Sequence, residues 1–406
     1  MDNITHTIIG LGVAEIAMQW RMKDRSGLQS NLRPLYWLSS AVANNLPDLD
    51  VPWIKLLGGG RMEFLLQHRG YSHTLGAVLP IAIFTLLLCW AIAKKRQLEV
   101  NKKDWLWLGG LAIFGVLSHI LADSWNSYGV HPFWPWQNRW YYGDFIFILE
   151  PWIWITLIPC LLFSSLPKWI RSFLFLLYVA IVGAAWKISY VPSPIALLLS
   201  IMALIGLATK SLPQSKRLSY SFSLLFVVLL GFAFVSTITK RELNSRFLAI
   251  SPDNQHITLV ISPLPANPFC WNYISVETSE KEFLLRSGIF APFSDFYPVE
   301  ACPIMIEGNR VAPLEGFGSG FPGELLSLGT FRGSLAELRL LDNNCYFAAF
   351  RHFARAPFWI LHGDSVTIGD LRFDNGKSHG FSTIEIPAKS GPQCPQIPPW
   401  DLALPL

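Results

Sequence analysis

Apolar residues in this chain form long unbroken runs up to about residue 239 and short alternating segments beyond it. Roughly 20 largely apolar residues are needed for a helix to cross about 30 Å of hydrocarbon. The runs "TLGAVLPIAIFTLLLCWAIA" (74–93), "WLWLGGLAIFGVLSHILADSW" (105–125) and "FIFILEPWIWITLIPCLLFSSL" (145–166) qualify. So do 169–188, 194–208 and 220–238, and two more polar elements, 4–20 and 35–46, precede them. The pattern predicts a polytopic α-helical membrane protein with six to eight transmembrane helices over residues 1–239. From residue 240 to 406 it predicts a β-rich extramembrane domain. The segments "HITLVIS", "FAAFRHF", "SVTIGDLRF" and "STIEI" read as strands, separated by "SPLPANP", "GFGSGFPG" and "GPQCPQIPP" as turns and loops.

Composition sharpens the membrane reading. The 406 residues are 51% hydrophobic and 15% charged, against about 25% charged in soluble domains. Seventeen tryptophans fit the lipid–water boundary. The net charge of +4 is spread over short loops, which argues against nucleic acid as a partner, since that requires a concentrated basic face. The basic segments 94–103, 167–171, 210–217 and, if the first two elements cross, 21–33 fall on one side of the alternating spans. Excess Lys and Arg in short loops marks the cytoplasmic face. The opposite, extracytoplasmic face then receives His6, residues 45–73 and 119–150, and everything after 240. No basic n-region or small-residue cleavage site opens the chain, so no cleaved signal peptide is expected. Cys270, Cys302, Cys345 and Cys394 fall in the outer domain. Their even number permits two disulfides, whose pairing sequence does not give; four buried thiols are the alternative.

Metal-ligand side chains are concentrated in the first part of the chain. Histidines stand at 6, 68, 73, 119 and 131, while no Asp or Glu occurs between Glu150 and Glu242. All the early histidines share the predicted outer face, which independent core histidines have no reason to do. "SHILAD" places His119 and Asp123 about one turn apart on one helix face. In "NNLPDLD", Pro47 ends the preceding helix, and Asp48 and Asp50 follow on an irregular segment. "HRGYSHT" holds His68 and His73 around a turn expected at Gly70, with Arg69 placed to bind phosphate or carboxylate. His6 lies at the outer end of the first element, and Gly10 and Gly12 permit close helix packing. His131, Asp144 and Glu150 follow in an aromatic-rich loop. Taken singly, each of these has a bland alternative: a local cap, a packed core imidazole, a solvated carboxylate or a membrane anchor.

An early His, then "LPDLD", "HRGYSHT" and "GVLSHILADSWNSYG" ahead of "HPFWPW", resemble in wording and order the YdjM-like family of inner-membrane metal-dependent hydrolases, over roughly residues 1–155. The family's usual "HRGxTHS" stands here as "HRGYSHT", a Ser/Thr exchange at both hydroxyl positions. A stretch like "PLPANPFCWNYI" (263–274) opens the extramembrane domain of its long members. A fainter likeness, to zinc phospholipase C and zinc nucleases, rests on the pair His119/Asp123 followed by His131. The family resemblance implies metal ligands at His6, Asp48 or Asp50, His68, His73, His119 and Asp123, in a bacterial inner membrane.

That set exceeds the ligands of one catalytic zinc, so one or two divalent ions are expected, with zinc favoured and manganese or iron as alternatives. Two-metal sites suit phosphoryl displacement. The expected function is hydrolysis of a phosphoester of a membrane lipid or lipid-linked substrate at the outer face. Arg69 would hold a phosphate oxygen, and Asp50 or Asp144 would act as base. The rivals are a non-catalytic scaffold stapled by a structural metal and, less favoured because the ligands sit at span ends, a transporter. The substrate, the metal and the oligomeric state are not legible in the sequence.

Overall fold

The computed structural model describes residues 1–23, 27–250, 255–306, 310–316, 324–374, 380–391 and 393–405. Part of the basic segment 21–33 and most of the loop "GFGSGFPG" lie outside the described residues. The chain divides into two compact units: Met1–Leu49, Tyr71–Gln137 and Ile148–Gly231 form the first, and Asp50–Gly70, Asn138–Phe147 and Phe232–Leu406 the second.

Helices make up the first unit. They are α1 (Asn3–Met22) and α2 (Arg33–Ala43), then, after α3 (Asp50–Leu56) and α4 (Arg61–Gln67) of the second unit, α5 (Leu75–Lys95) and α6 (Lys102–Asp123). They continue with α7 (Pro151–Leu162), α8 (Lys168–Lys187), α9 (Ser193–Ala208) and the first part of α10 (Gln214–Ile250). Among the described residues, five helices are long and apolar enough to cross a membrane: Leu75–Lys95, Lys102–Asp123, Lys168–Lys187, Ser193–Ser211 and Gln214–Ile250.

The expected span 145–166 is shorter than its apolar run. Its helix begins at Pro151, with Glu150 as N-cap accepting from the Trp152 backbone N–H, and it ends at Leu162. Twelve residues rise only about 18 Å, well under the hydrocarbon thickness. The weaker element at 35–46 forms α2, whose 11 residues rise about 16 Å.

Small residues let these short helices approach. A Cβ on Gly10 of α1 would stand 2.8 Å from the Ala41 Cα of α2, and one on Gly115 of α6 would stand 2.9 Å from the Ser40 carbonyl oxygen. α2 is thus held between two glycine-lined faces, and the Ser39 hydroxyl donates to the Leu108 carbonyl of α6 at 2.8 Å. Buried polar groups fix the register at the far end. Arg21 of α1 meets Asp104 of α6 at 2.8 Å, and the Tyr36 hydroxyl donates to the same carboxylate. Tyr178 of α8 donates to carbonyls of both Ile155 and Ala203, bridging α7 and α9.

Two antiparallel sheets dominate the second unit. β1 (Gln255–Leu264), β2 (Asn267–Thr278), β3 (Glu282–Phe290) and β4 (Leu325–Ser334) form one in sequence order. After α11 (Leu335–Leu341) and α12 (Cys345–Phe350), β5 (Pro357–Leu361), β6 (Ser365–Asp370) and β7 (Ile384–Pro387) form the other. The predicted turn "SPLPANP" is the β1–β2 hairpin, with Ala266 in left-handed backbone at φ 59°. "FAAFRHF" is not a strand but lies on α12 and the turn after it. Asn344 caps this helix by accepting from the Tyr346 N–H, and a short apolar run by itself does not separate strand from buried helix. Trp359 of β5 joins the two sheets, packing on Phe331 and over Gly333 of β4. The four cysteines of the second unit form two disulfides, Cys270–Cys302 and Cys345–Cys394.

Candidate metal centre

The centre belongs to the first unit and gathers at one end of its helices. α2 stops at Ala43, four residues before Pro47, and the 3-10 turn Leu46–Leu49 carries Asp48. A second 3-10 turn, Tyr71–His73, delivers His73 directly ahead of α5, whose N-cap is Thr74. His119 and Asp123 come from the last turns of α6, both fully buried. One donor atom from each of Asp48, His73, His119 and Asp123 lies within 4.8 Å of the other three.

The imidazoles are oriented by their outer nitrogens. His119 Nδ1 stands 2.7 Å from the Asn44 carbonyl oxygen. A carbonyl only accepts, so Nδ1 carries the proton and Nε2 of the neutral ring presents a lone pair. That Nε2 faces His73 Nε2 at 3.0 Å, Asp123 Oδ2 at 3.3 Å and Asp48 Oδ1 at 3.6 Å. His73 Nε2 reaches Asp123 Oδ2 at 3.2 Å and Asp48 Oδ1 at 3.4 Å, while its Nδ1 meets the Ser72 hydroxyl at 3.0 Å. The His119 lone pair, His73 Nε2 and the two carboxylates therefore converge on one small volume. A positive charge makes such a convergence favourable. Two imidazoles with two carboxylates match zinc, manganese or iron rather than calcium, so the residues present fit the implied metal.

His6 supports the cluster from α1. Its ring stacks on His119 with centroids 3.8 Å apart, and its Nε2 stands 3.4 Å from Asp123 Oδ1. The Met1 ammonium contacts the same oxygen. Burial in the first place, and the neighbouring His73 in the second, push the His131 pKa down to about 3, so that ring is neutral at physiological pH. Glu150 is used as the α7 cap.

The other expected site residues lie in the second unit. His68 pairs with Asp50, Nδ1 to Oδ1 at 3.0 Å, and stacks on Phe64. The Arg69 backbone N–H donates to Asp50 Oδ2 at 3.0 Å. Left-handed backbone falls on Arg69, at φ 61°, rather than on Gly70. Gly70 is needed for close approach instead, since a Cβ there would stand 2.5 Å from the Gln67 carbonyl oxygen. His73 joins Asp48, His119 and Asp123, while His68 meets Asp50. Asp144 is gripped by Arg355 through both oxygens, at 2.8 and 3.2 Å, and by Lys240 at 3.1 Å. Burial would raise its carboxyl, but Arg355 and then Lys240 hold it below the ordinary value. Sequence reasoning missed Asn44, whose carbonyl sets the His119 tautomer, although it stands inside the "NNLPDLD" stretch. It also missed Arg355, which no local pattern marks as the partner of a carboxylate so far away in the chain.

Fold and site together define a polytopic membrane protein with a buried His/Asp cluster at one end of its helical part. Residues 1–191 match the model of the YdjM inner membrane protein family. The chain is also similar to a Bacillus subtilis (strain 168) protein described as "Uncharacterized protein YfhP", at 24% identity over 156 residues. That match covers 38% of this chain and 44% of the relative's length. No solved structure matches it.

Proposed function

We propose that this protein is a membrane-bound metal-dependent hydrolase acting on a phosphoester of a lipid or lipid-linked substrate at the outer face of the membrane. The observation that carries this reading is the convergence of His73 Nε2, His119 Nε2 and the carboxylates of Asp48 and Asp123, with the His119 tautomer fixed by Asn44. Bound zinc, manganese or iron would supply Lewis acidity toward a phosphoryl oxygen. The chain's own part is to hold two neutral imidazoles by their outer nitrogens and to place two carboxylates for charge balance. Four donors suffice for one ion; a second would need donors beyond them.

In the same proposal, Arg69 holds a phosphate oxygen and Asp50, two residues beyond Asp48, serves as base. Alanine at either is expected to reduce turnover with metal content unchanged. Asp144 is a poor base, because two cations favour its ionised form.

Two observations support placing the site on the outer side. Lys94, Lys95, Arg96, Lys102 and Lys103 occupy the ends of α5 and α6 opposite to His73 and His119, and such loops face the cytoplasm. The disulfides fit an oxidising compartment for the C-terminal domain.

The scaffold reading draws on one feature, that four protein donors can close a tetrahedral shell as in structural zinc sites. Against closure, the Asp48 side chain keeps 10% of its surface exposed, an opening that the other three lack. The test is elemental mass spectrometry of the detergent-purified protein beside His73→Ala/His119→Ala, followed by a screen of phospholipids and lipid-linked phosphates. Metal lost in the variant together with metal-dependent turnover is the expected result. Metal without turnover would leave the scaffold, and no metal after reconstitution would overturn both.

A further inference from the structure

The second unit contains a pocket of about 540 Å³ that the hydrolase reading does not use. Its floor is the Asp144–Arg355 pair, both groups almost fully buried. Arg355 lies with its guanidinium 3.9 Å over the Tyr142 ring, and its backbone N–H donates to Asp370. Lys240, 35% exposed, reaches the same Asp144 carboxylate from α10 and also approaches the Gly143 carbonyl. Arg139 and Asn244 complete the rim, both exposed.

Charge decides what such a pocket accepts. Arg139, Lys240 and Arg355 bring three cations against one carboxylate, Asp144, so the lining is net positive. Asp144 spends both oxygens on Arg355 and Lys240 and thereby holds two cations side by side before any ligand arrives. Arg139 has no ion pair among the described residues. A tetrahedral phosphate oxyanion matches these donors, and a neutral or cationic ligand does not.

Position along α10 narrows the class. The apolar run of this helix ends at about Ile238, and Lys240 and Asn244 stand one turn apart just beyond it. Trp140, Tyr141 and Tyr142 also line the pocket, the residue types that collect at the headgroup level. We propose that this pocket is a phosphate-binding site of the second unit, distinct from the metal centre, whose ligand is the phosphate of an acidic phospholipid headgroup or of a free glycerol phosphate.

The test uses the full-length protein, delipidated in detergent, with native mass spectrometry as the readout. The probes are phosphatidylglycerol, phosphatidylcholine and glycerol 3-phosphate. Retention of phosphatidylglycerol about tenfold above phosphatidylcholine, about 1.4 kcal/mol, is expected. Arg139→Ala and Arg139→Ala/Lys240→Gln should abolish that preference. Arg139→Ala alone carries the test if the double variant does not fold. Binding of glycerol 3-phosphate without lipid, with the same dependence on Arg139, would establish a free phosphate as the source. Binding of the lipid only would establish the headgroup. Retention that ignores Arg139, or no preference for either phosphate probe, would overturn the site. His119→Ala should leave the preference intact, which separates this outcome from that of the hydrolase reading.

Discussion

At the residue scale, Asp144 shows how a buried charge is made tolerable. Removing one partner of a buried pair leaves an uncompensated charge, at a cost of about 3–5 kcal/mol. Asp144→Asn strands Arg355 and is expected to lower the melting temperature, read by differential scanning fluorimetry, while Asn at the exposed Asp364 changes it little. The pH dependence has a definite sign. The Asp144 carboxyl sits below its ordinary value of 3.8, so its contribution to stability is complete above that pH. It is lost as pH falls from 3.8 toward the depressed folded value, and the Asn variant should lack this part of the acid limb. His119 illustrates a different device, in which a backbone carbonyl, not a side chain, selects the nitrogen that faces the cluster. Asn44→Ala keeps that carbonyl but loses the side-chain bond to Ser118. Metal content should therefore survive in Asn44→Ala and fall in His119→Gln, as elemental analysis of both would show.

At the scale of elements, the close passage of α2 between α1 and α6 depends on having no Cβ at two positions. Gly115→Leu or Gly10→Val forces backbone apart and is expected to cost about 1–3 kcal/mol or more, seen as a lower unfolding midpoint with helix content retained by circular dichroism. Much of this architecture was legible. Long apolar runs marked α5, α6, α8, α9 and α10, because lipid imposes a length and an apolarity that soluble cores do not. Asp48, His73, His119 and Asp123 were legible as polar groups in an apolar setting, where an unneeded charge is costly. What failed were short elements. The apolar run 145–166 predicts a full span, but it begins before Pro151 fixes the start of α7. The run "FAAFRHF" predicts a strand, but seven residues carry no decisive period and most of them lie on α12. The partners chosen by His68 and His73 were hidden as well, since the left-handed turn sits at Arg69 and not at the glycine that usually signals it.

At the scale of the molecule, two disulfides secure the β-rich part and none the helical part. Reduction is expected to lower the stability of the second unit by about 2–5 kcal/mol per bridge, visible as an earlier thermal transition in dithiothreitol. Cys89 and Cys160 are free and buried. Maleimide labelling without reductant should therefore give no label on the folded protein and two on the denatured one.

The paired contacts of α1 and α6 have a mechanical corollary. His6 rests on His119 at one end and Arg21 on Asp104 at the other, and the same number of residues separates the two contacts on each helix. The helices are two rods pinned twice, roughly 22 Å apart at 1.5 Å per residue. Neither rod can slide or turn at one pin without straining the other. Deleting one residue of α1 between Ile8 and Trp20 would turn its two ends against each other by about 100°, so that only one pin could close. Whichever pin held, a disturbance at the Asp104 end would reach the His/Asp cluster without any of its residues being altered.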